Sequence, residues 1–243
     1  MDGGRVLAVG GAKGGIGKTT SSINLAASLA ARGRCAIVVE CDLAMANLVD
    51  FLSLPYRADE DPDLHDVLAG RAATRDAIYT TPDGFDVLPS GLGLEGYAAA
   101  DPNRLEQVVP QLRTGYDDVV LDVGAGLSYE SVIPMKLADE VLLVSSPRVA
   151  SVRDIRKTKE LAEIAESTVA GIVFVKSGTG KAPPTDRIAE FLDVDLLGHV
   201  PADDHVPTSQ DSGRPVVTHA PESRAATAYV DIAHRLSHPV PVP

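Results

Sequence analysis

Cysteine is scarce: only Cys35 and Cys41 occur in 243 residues, flanking one apolar run. They form no metal-ligand pattern, so buried free thiols in a reducing compartment are the expected state. Positive charge is also in deficit. Twenty-two Lys and Arg stand against 34 Asp and Glu, for a net charge of −12 and a pI near 4.8, and this balance offers no footprint for nucleic acid or anionic lipid. The first residues lack a basic leader, and no apolar run is long enough for a signal peptide or membrane span. A soluble, cytoplasmic protein is expected. Neither a repeat nor a linker interrupts the sequence, which therefore reads as one domain over residues 1–243, with a short disordered Pro-rich tail from about 238.

What is present is a regular alternation. Short apolar runs at Arg5-Val9, Cys35-Val39, Phe85-Leu88, Asp118-Leu121, Glu140-Ser145, Val169-Val175 and Asp195-Val200 read as buried strands. Amphipathic stretches at Thr19-Arg32, Pro102-Leu112, Val152-Glu166, Asp186-Phe191 and Glu222-Leu236 read as helices. Strands apolar on both faces, alternating with helices, predict an α/β fold: a mostly parallel twisted sheet with helices on both faces. Gly178-Thr179-Gly180-Lys181-Ala182-Pro183-Pro184 is the clearest candidate for a mobile loop.

The first strand runs into Gly10-Gly11-Ala12-Lys13-Gly14-Gly15-Ile16-Gly17-Lys18-Thr19-Thr20. Glycines here let the backbone curl with its N–H groups inward, making an anion nest at a helix N-terminus. Such a loop binds nucleotide phosphates: Gly14, Gly15, Ile16 and Gly17 supply backbone, Lys18 reaches the β and γ phosphates, Thr19 ligates Mg²⁺ and Thr20 meets the α-phosphate. Ala12 stands where the strict Walker A pattern has glycine, whereas the deviant form Lys-Gly-Gly-x-Gly-Lys-Thr-Thr matches fully. The loop makes the fold a P-loop NTPase. A carboxylate at a neighbouring strand end must complete the Mg²⁺ shell, and Asp122 is placed for it. Asp42, after a second strand, is the candidate for orienting water at the γ-phosphate, although an acidic residue there is as readily a helix cap. Asp117 reads as a turn residue. The six histidines read as surface or turn residues, none having a Cys or His at metal-ligand spacing.

Together these residues resemble the MinD/ParA family of deviant Walker ATPases, in particular its archaeal MinD-type members. The likeness runs from Arg5 to the final helix and includes the Lys13-Thr20 loop, the Asp42 segment ending in Asn47-Leu48, and Asp122 with Ala125-Gly126. It continues through Ser146-Asp154, Leu88-Gly91, Asp101-Leu105, Leu197-Pro201 and Gly213-Val216. The resemblance implies an ATP- and Mg²⁺-dependent switch in which two subunits close face to face on ATP. Lys13 would cross to the partner's phosphates and Asp42 would be needed for hydrolysis. Pro201 and Asp203 become base-side candidates, with a structural turn as the alternative. The sequence departs from the family at Glu40 (usually Asp), Val123-Gly124 (usually Thr-Pro) and Val175-Lys176 (often Asn-Arg). Glu40 is expected to reach water near the Mg²⁺. The basic amphipathic C-terminal helix of typical MinD proteins is missing, so no intrinsic membrane anchor is expected.

The expected function is an ATPase that positions a cellular structure, be it division site, surface appendage or chemosensory machinery, through a homodimer and a protein partner. Any recruitment to membrane or pole would run through that partner. A ParA-type DNA-segregation ATPase is the alternative, its only basic cluster being Arg148, Arg153, Arg156, Lys157 and Lys159, where Glu160, Glu163 and Glu166 answer the charge. An ATP-dependent biosynthetic enzyme on the same fold is a third reading, but no second substrate pocket is visible in the sequence.

Overall fold

The computed structural model describes residues 3–58, 60–126, 129–178 and 183–237. Residues 179–182 of the candidate mobile loop and the tail from 238 lie outside the described residues. Strands β1 (Arg5–Gly10), β2 (Ala36–Cys41), β3 (Tyr79–Thr80), β4 (Asp86–Leu88), β5 (Asp118–Val123), β6 (Glu140–Ser145), β7 (Thr168–Ser177) and β8 (Leu196–Pro201) form one sheet. Its order is β3-β4-β2-β5-β1-β6-β7-β8. The pairings are parallel except β3 with β4. That edge hairpin is absent from the apolar pattern because β3 is two residues long. It exists because Gly84, at φ 85°, closes a turn in which the Thr81 N–H and hydroxyl both donate to the Phe85 carbonyl.

Helices α1 (Lys18–Ala30), α2 (Leu48–Phe51), α3 (Leu64–Ala69), α4 (Leu94–Ala99), α5 (Leu105–Gly115), α6 (Tyr129–Leu137), α7 (Val149–Ile164), α8 (Thr185–Leu192), α9 (His205–Asp211), α10 (Val216–His219) and α11 (Arg224–Ser237) connect the strands. Alternation along β1 decides which helix meets which face. Val6 and Ala8 join Leu64, Leu68, Val108, Leu112, Ile155 and Ile188, so α3, α5, α7 and α8 cover one side. Leu7 and Val9 join Ile23, Leu29, Leu48, Val216, Tyr229 and Leu236, so α1, α2, α10 and α11 cover the other. The two-sided sheet read from the sequence is therefore the observed one. The predicted Pro102-Leu112 helix is a 3₁₀ turn, Pro102–Arg104, running into α5.

One expectation fails at Cys35. It is exposed rather than buried, while Cys41 is buried. Cys35 lies one residue before β2, where its N–H donates to the Asp117 carboxylate at 2.9 Å and its carbonyl accepts from the Asp117 and Asp118 N–H groups. Its role is backbone pairing, and Asp117 is the turn residue it was read to be. The two thiols sit at opposite ends of one strand, about 20 Å apart along the chain, too far to share one metal centre.

Candidate phosphate-binding site

Gly10 ends β1, and Lys18 opens α1 eight residues later. Gly15 at φ 68° and Gly17 at φ 103° adopt the left-handed conformation that a side chain resists, turning the loop back over the helix N-terminus. Gly17 is the N-cap and carries no side chain to satisfy the first N–H groups. Those donors are left to a ligand, and an anion suits them. Lys18 is 7% exposed, so its ammonium is held inside the loop. Lys13 stands at the rim with its side chain 50% exposed, its Nζ 2.7 Å from Asp154 Oδ2 on α7.

Asp122, in β5 beside β1, is 1% exposed. Its Oδ1 accepts from the Ser22 hydroxyl at 2.9 Å. Burial pushes its pKa up to about 6, while the Thr19 and Ser22 hydroxyls and the Lys18 charge pull the other way. A buried carboxylate under a threonine hydroxyl is a hard-oxygen pair short of positive charge, and Mg²⁺ fits it. Asp42 follows β2 and is half-buried, with Oδ1 accepting from the Met45 N–H at 3.2 Å. A Cβ on Gly124 would come within 3.2 Å of the Asp42 carboxyl carbon. The missing side chain at Gly124 leaves room for the Asp42 carboxyl beside the loop after β5.

These residues face one cleft of about 1080 Å³, lined by the phosphate loop, Asp42 to Asn47, Gly124, Glu130, Val175, Lys176 and the segment from Val200 to Gln210. The structure brings together Gly14, Gly15, Gly17, Lys18, Thr19, Thr20, Asp42, Pro201 and Asp203 on its walls. Ile16 is not on that wall and packs beneath the loop against the core cluster with Val9 and Leu25. Asp122 lies behind the wall, under Ser22.

Glu40 and His65 behave differently from the sequence expectation. Glu40 does not reach water: it is fully buried, with Oε1 accepting from the Leu48 and Asn47 N–H groups at 2.7 and 2.5 Å and Oε2 from the Ser90 N–H at 2.9 Å. Burial, with Asp122 adding to it, raises its pKa to about 7 against the three backbone bonds. His65 is buried, not a surface or turn residue. Asp203 has both oxygens engaged, Oδ1 by the His205 N–H and ring and Oδ2 by the Ala225 N–H at 3.1 Å.

That engagement holds the Asp203 pKa at about 2, led by the His205 backbone bond. The folded value lies below the unfolded one of about 3.9, so the stabilisation is complete above that pH and fades as pH falls toward 2. Replacing Asp203 with Ala is expected to cost about 1 kcal/mol of stability, as loss of a cap does. Thermal melts at pH 7 and pH 3 check this, the difference between variant and parent shrinking at the lower pH.

Two contacts were invisible in the sequence. Lys176, at φ 54°, donates from Nζ to the Gly15 carbonyl at 2.8 Å. Gln210 donates to the Thr20 hydroxyl oxygen at 2.8 Å across 190 residues.

A deviant phosphate loop at the carboxyl end of the central strand of a parallel sheet, with a buried strand-end aspartate beside it, defines a P-loop nucleotide-binding protein. Family models agree. One described as an AAA domain matches residues 4–170, and one described as NUBPL iron-transfer P-loop NTPase matches residues 105–237. The cell division ATPase MinD of Pyrococcus furiosus superposes with a TM-score of 0.91 at 35% identity, covering 96% of this chain and 98% of that one. The septum site-determining protein MinD of Pyrococcus horikoshii, solved with Mg-ADP, gives 0.90 at 32% identity and 96% of each chain. An uncharacterized ATP-binding protein of Methanocaldococcus jannaschii is 35% identical over 95% of this chain and 86% of its own. The chain belongs to the MinD/ParA family of P-loop ATPases.

Proposed function

We propose that the chain is an ATP-hydrolysing switch that pairs with a second copy of itself on ATP and thereby positions a cellular structure. One observation carries this reading: Lys18, Thr19 and Asp42 line one cleft with Asp122 buried directly behind Ser22, while Lys13 stays exposed beside Asp154. Lys18 and the backbone nest bind the β and γ phosphates. Thr19 and Asp122 would hold Mg²⁺, which supplies positive charge to the same phosphates. Asp42 orients a water in line with the γ-phosphate. Lys13, outside its own loop, serves the site of the facing subunit. The likeness to the cell division ATPase of Pyrococcus furiosus supports a positioning role.

Phosphate release tests the catalytic half of this reading. Purified protein should release phosphate from ATP in the presence of Mg²⁺, and chelation by EDTA should bring the rate to background. Release unaffected by EDTA would remove Thr19 and Asp122 from the roles given them.

The DNA-segregation reading gains no support from geometry. Arg156 pairs with Glu160 at 3.2 Å, Lys159 with Glu163 at 2.6 Å, and Asp154 of the same helix holds Lys13. Arg156 and Lys159 are thus answered on their own helix, and no DNA mobility shift is expected at physiological salt. Among the described residues no helix is long and apolar enough to cross a membrane.

A further inference from the structure

The segment from Asp42 to Asn47 has no regular structure, yet the reading above needs its first side chain in a fixed place. Most of it is half-buried or exposed, and Leu43 alone is buried, at 3% exposure. Beyond the bond from the Met45 N–H to Asp42 itself, two anchors tie it to the body. Glu40 fixes its far end at Asn47 and Leu48. His65, from α3, fixes its near end, its Nε2 lying 2.9 Å from the Leu43 carbonyl oxygen.

We propose that His65 is a positioning residue for Asp42, holding the Leu43 carbonyl so that the preceding carboxylate faces the γ-phosphate site. The proposal rests on the reading of Asp42 as the group that orients water. A carbonyl only accepts, so Nε2 is the nitrogen that donates in this contact, and Nδ1 is the ring's other nitrogen. That Nδ1 is buried and has no hydrogen-bond partner. A polar ring with one orphaned nitrogen is a poor choice for filling an apolar layer, where leucine would avoid the desolvation. What leucine lacks is the donor to Leu43.

The surroundings leave the ring no second position. A Cβ on Gly91 would lie 2.7 Å from Nδ1, and one on Gly96 would lie 3.0 Å from it, so the 91 and 96 backbones close on the ring. Tyr97 packs against it with ring centres 6.2 Å apart, and the Tyr97 hydroxyl donates to Glu130, itself on the cleft wall, at 2.9 Å. Helices α3 and α4 thus touch the cleft at two points, one beneath Asp42 and one beneath Glu130.

Three variants separate positioning from packing. His65→Leu removes the donor and keeps the volume. His65→Gln places an amide nitrogen where Nε2 was, and His65→Asn reaches only as far as Nδ1. Turnover at saturating Mg-ATP, affinity for a fluorescent ATP analogue, and melting temperature are measured for each, with Asp42→Ala as reference. His65→Leu is expected to lose about tenfold or more in kcat with nucleotide affinity within about twofold of the parent, since misplacement of a catalytic group affects the chemical step. His65→Gln should recover most of the rate and His65→Asn should not, whatever their melting temperatures. If His65→Leu does not fold, the Gln and Asn pair alone decides. Equal rates for Gln and Asn, or a parental rate in His65→Leu, overturn the proposal while leaving Asp42 in its role. A parental rate in Asp42→Ala overturns both.

Discussion

Asp42→Ala should abolish phosphate release while leaving ATP bound, and Lys18→Ala should weaken binding itself. The two residues act at different stages. Lys18 is almost fully buried under the loop, where its charge meets the phosphates of the ground state. A charge-assisted bond of that kind is worth about 1.5–3 kcal/mol, so its loss weakens affinity by roughly 10- to 150-fold. Asp42 is half-buried across the cleft, and its Oδ1 accepts from the Met45 N–H. Among the described residues its hydrogen bond is to its own segment, at Met45, and not to the phosphate loop. Its removal should lower kcat by about 10²-fold or more with little change in the dissociation constant, the pattern of a contact made only in the transition state. Nucleotide titration and single-turnover hydrolysis, run side by side, give the two numbers. Equal loss of affinity in both variants would end the assignment of Asp42.

With Asp42→Ala trapping ATP, light scattering should report a dimer with ATP and a monomer with ADP, and adding Lys13→Ala should keep the protein monomeric. Magnitudes decide between the two partners open to Lys13. In the single chain it pairs with Asp154, with side chains 50% and 29% exposed, and such a surface pair contributes about 0–1 kcal/mol. Between two triphosphates pressed together without water, the same ammonium gains about 1.5–3 kcal/mol per contact, twice in a symmetric dimer. The contact across the interface is therefore expected to win, with Asp154 giving up its lysine in the ATP-bound dimer. Nucleotide affinity of the monomer should survive Lys13→Ala, since Lys18 and the backbone nest remain. A double variant that dimerises with ATP as readily as the trap would leave Lys13 a solvated loop residue.

The parts of this molecule that local chemistry dictates were readable in the sequence. β6 matches its apolar run Glu140-Ser145 residue for residue, and α1 begins one residue before the predicted Thr19 because a glycine loop can end only where a helix accepts it. Lys18, Thr19 and Asp122 came together as their spacing required. What escaped depends on pairs far apart in the chain. Glu40 looked like a water ligand because nothing local says that Ser90, fifty residues on, would present its N–H to it. His65 looked like a surface residue because its acceptor, the Leu43 carbonyl, lies on another element. The helices α2, α9 and α10 are four to seven residues long, too short to print a helical period, and they hold by packing in the layer of α1 and α11 and by Glu40, Asp203 and Asn24, which accept from their first N–H groups.

The wall of the cleft made by α11 has a bearing on how the chain is born. The Ser21 hydroxyl in α1 and the buried Tyr229 hydroxyl in α11 lie 3.2 Å apart across 208 residues, and α11 joins α1 in one apolar layer that includes Leu25 and Leu29. At a synthesis rate of about 5–20 residues per second, the phosphate loop leaves the ribosome roughly 10–40 s before the helix that shields it. During that interval α1 has a bare greasy side and the nucleotide no back wall, so nascent chains stopped near residue 220 are the species most in need of a chaperone.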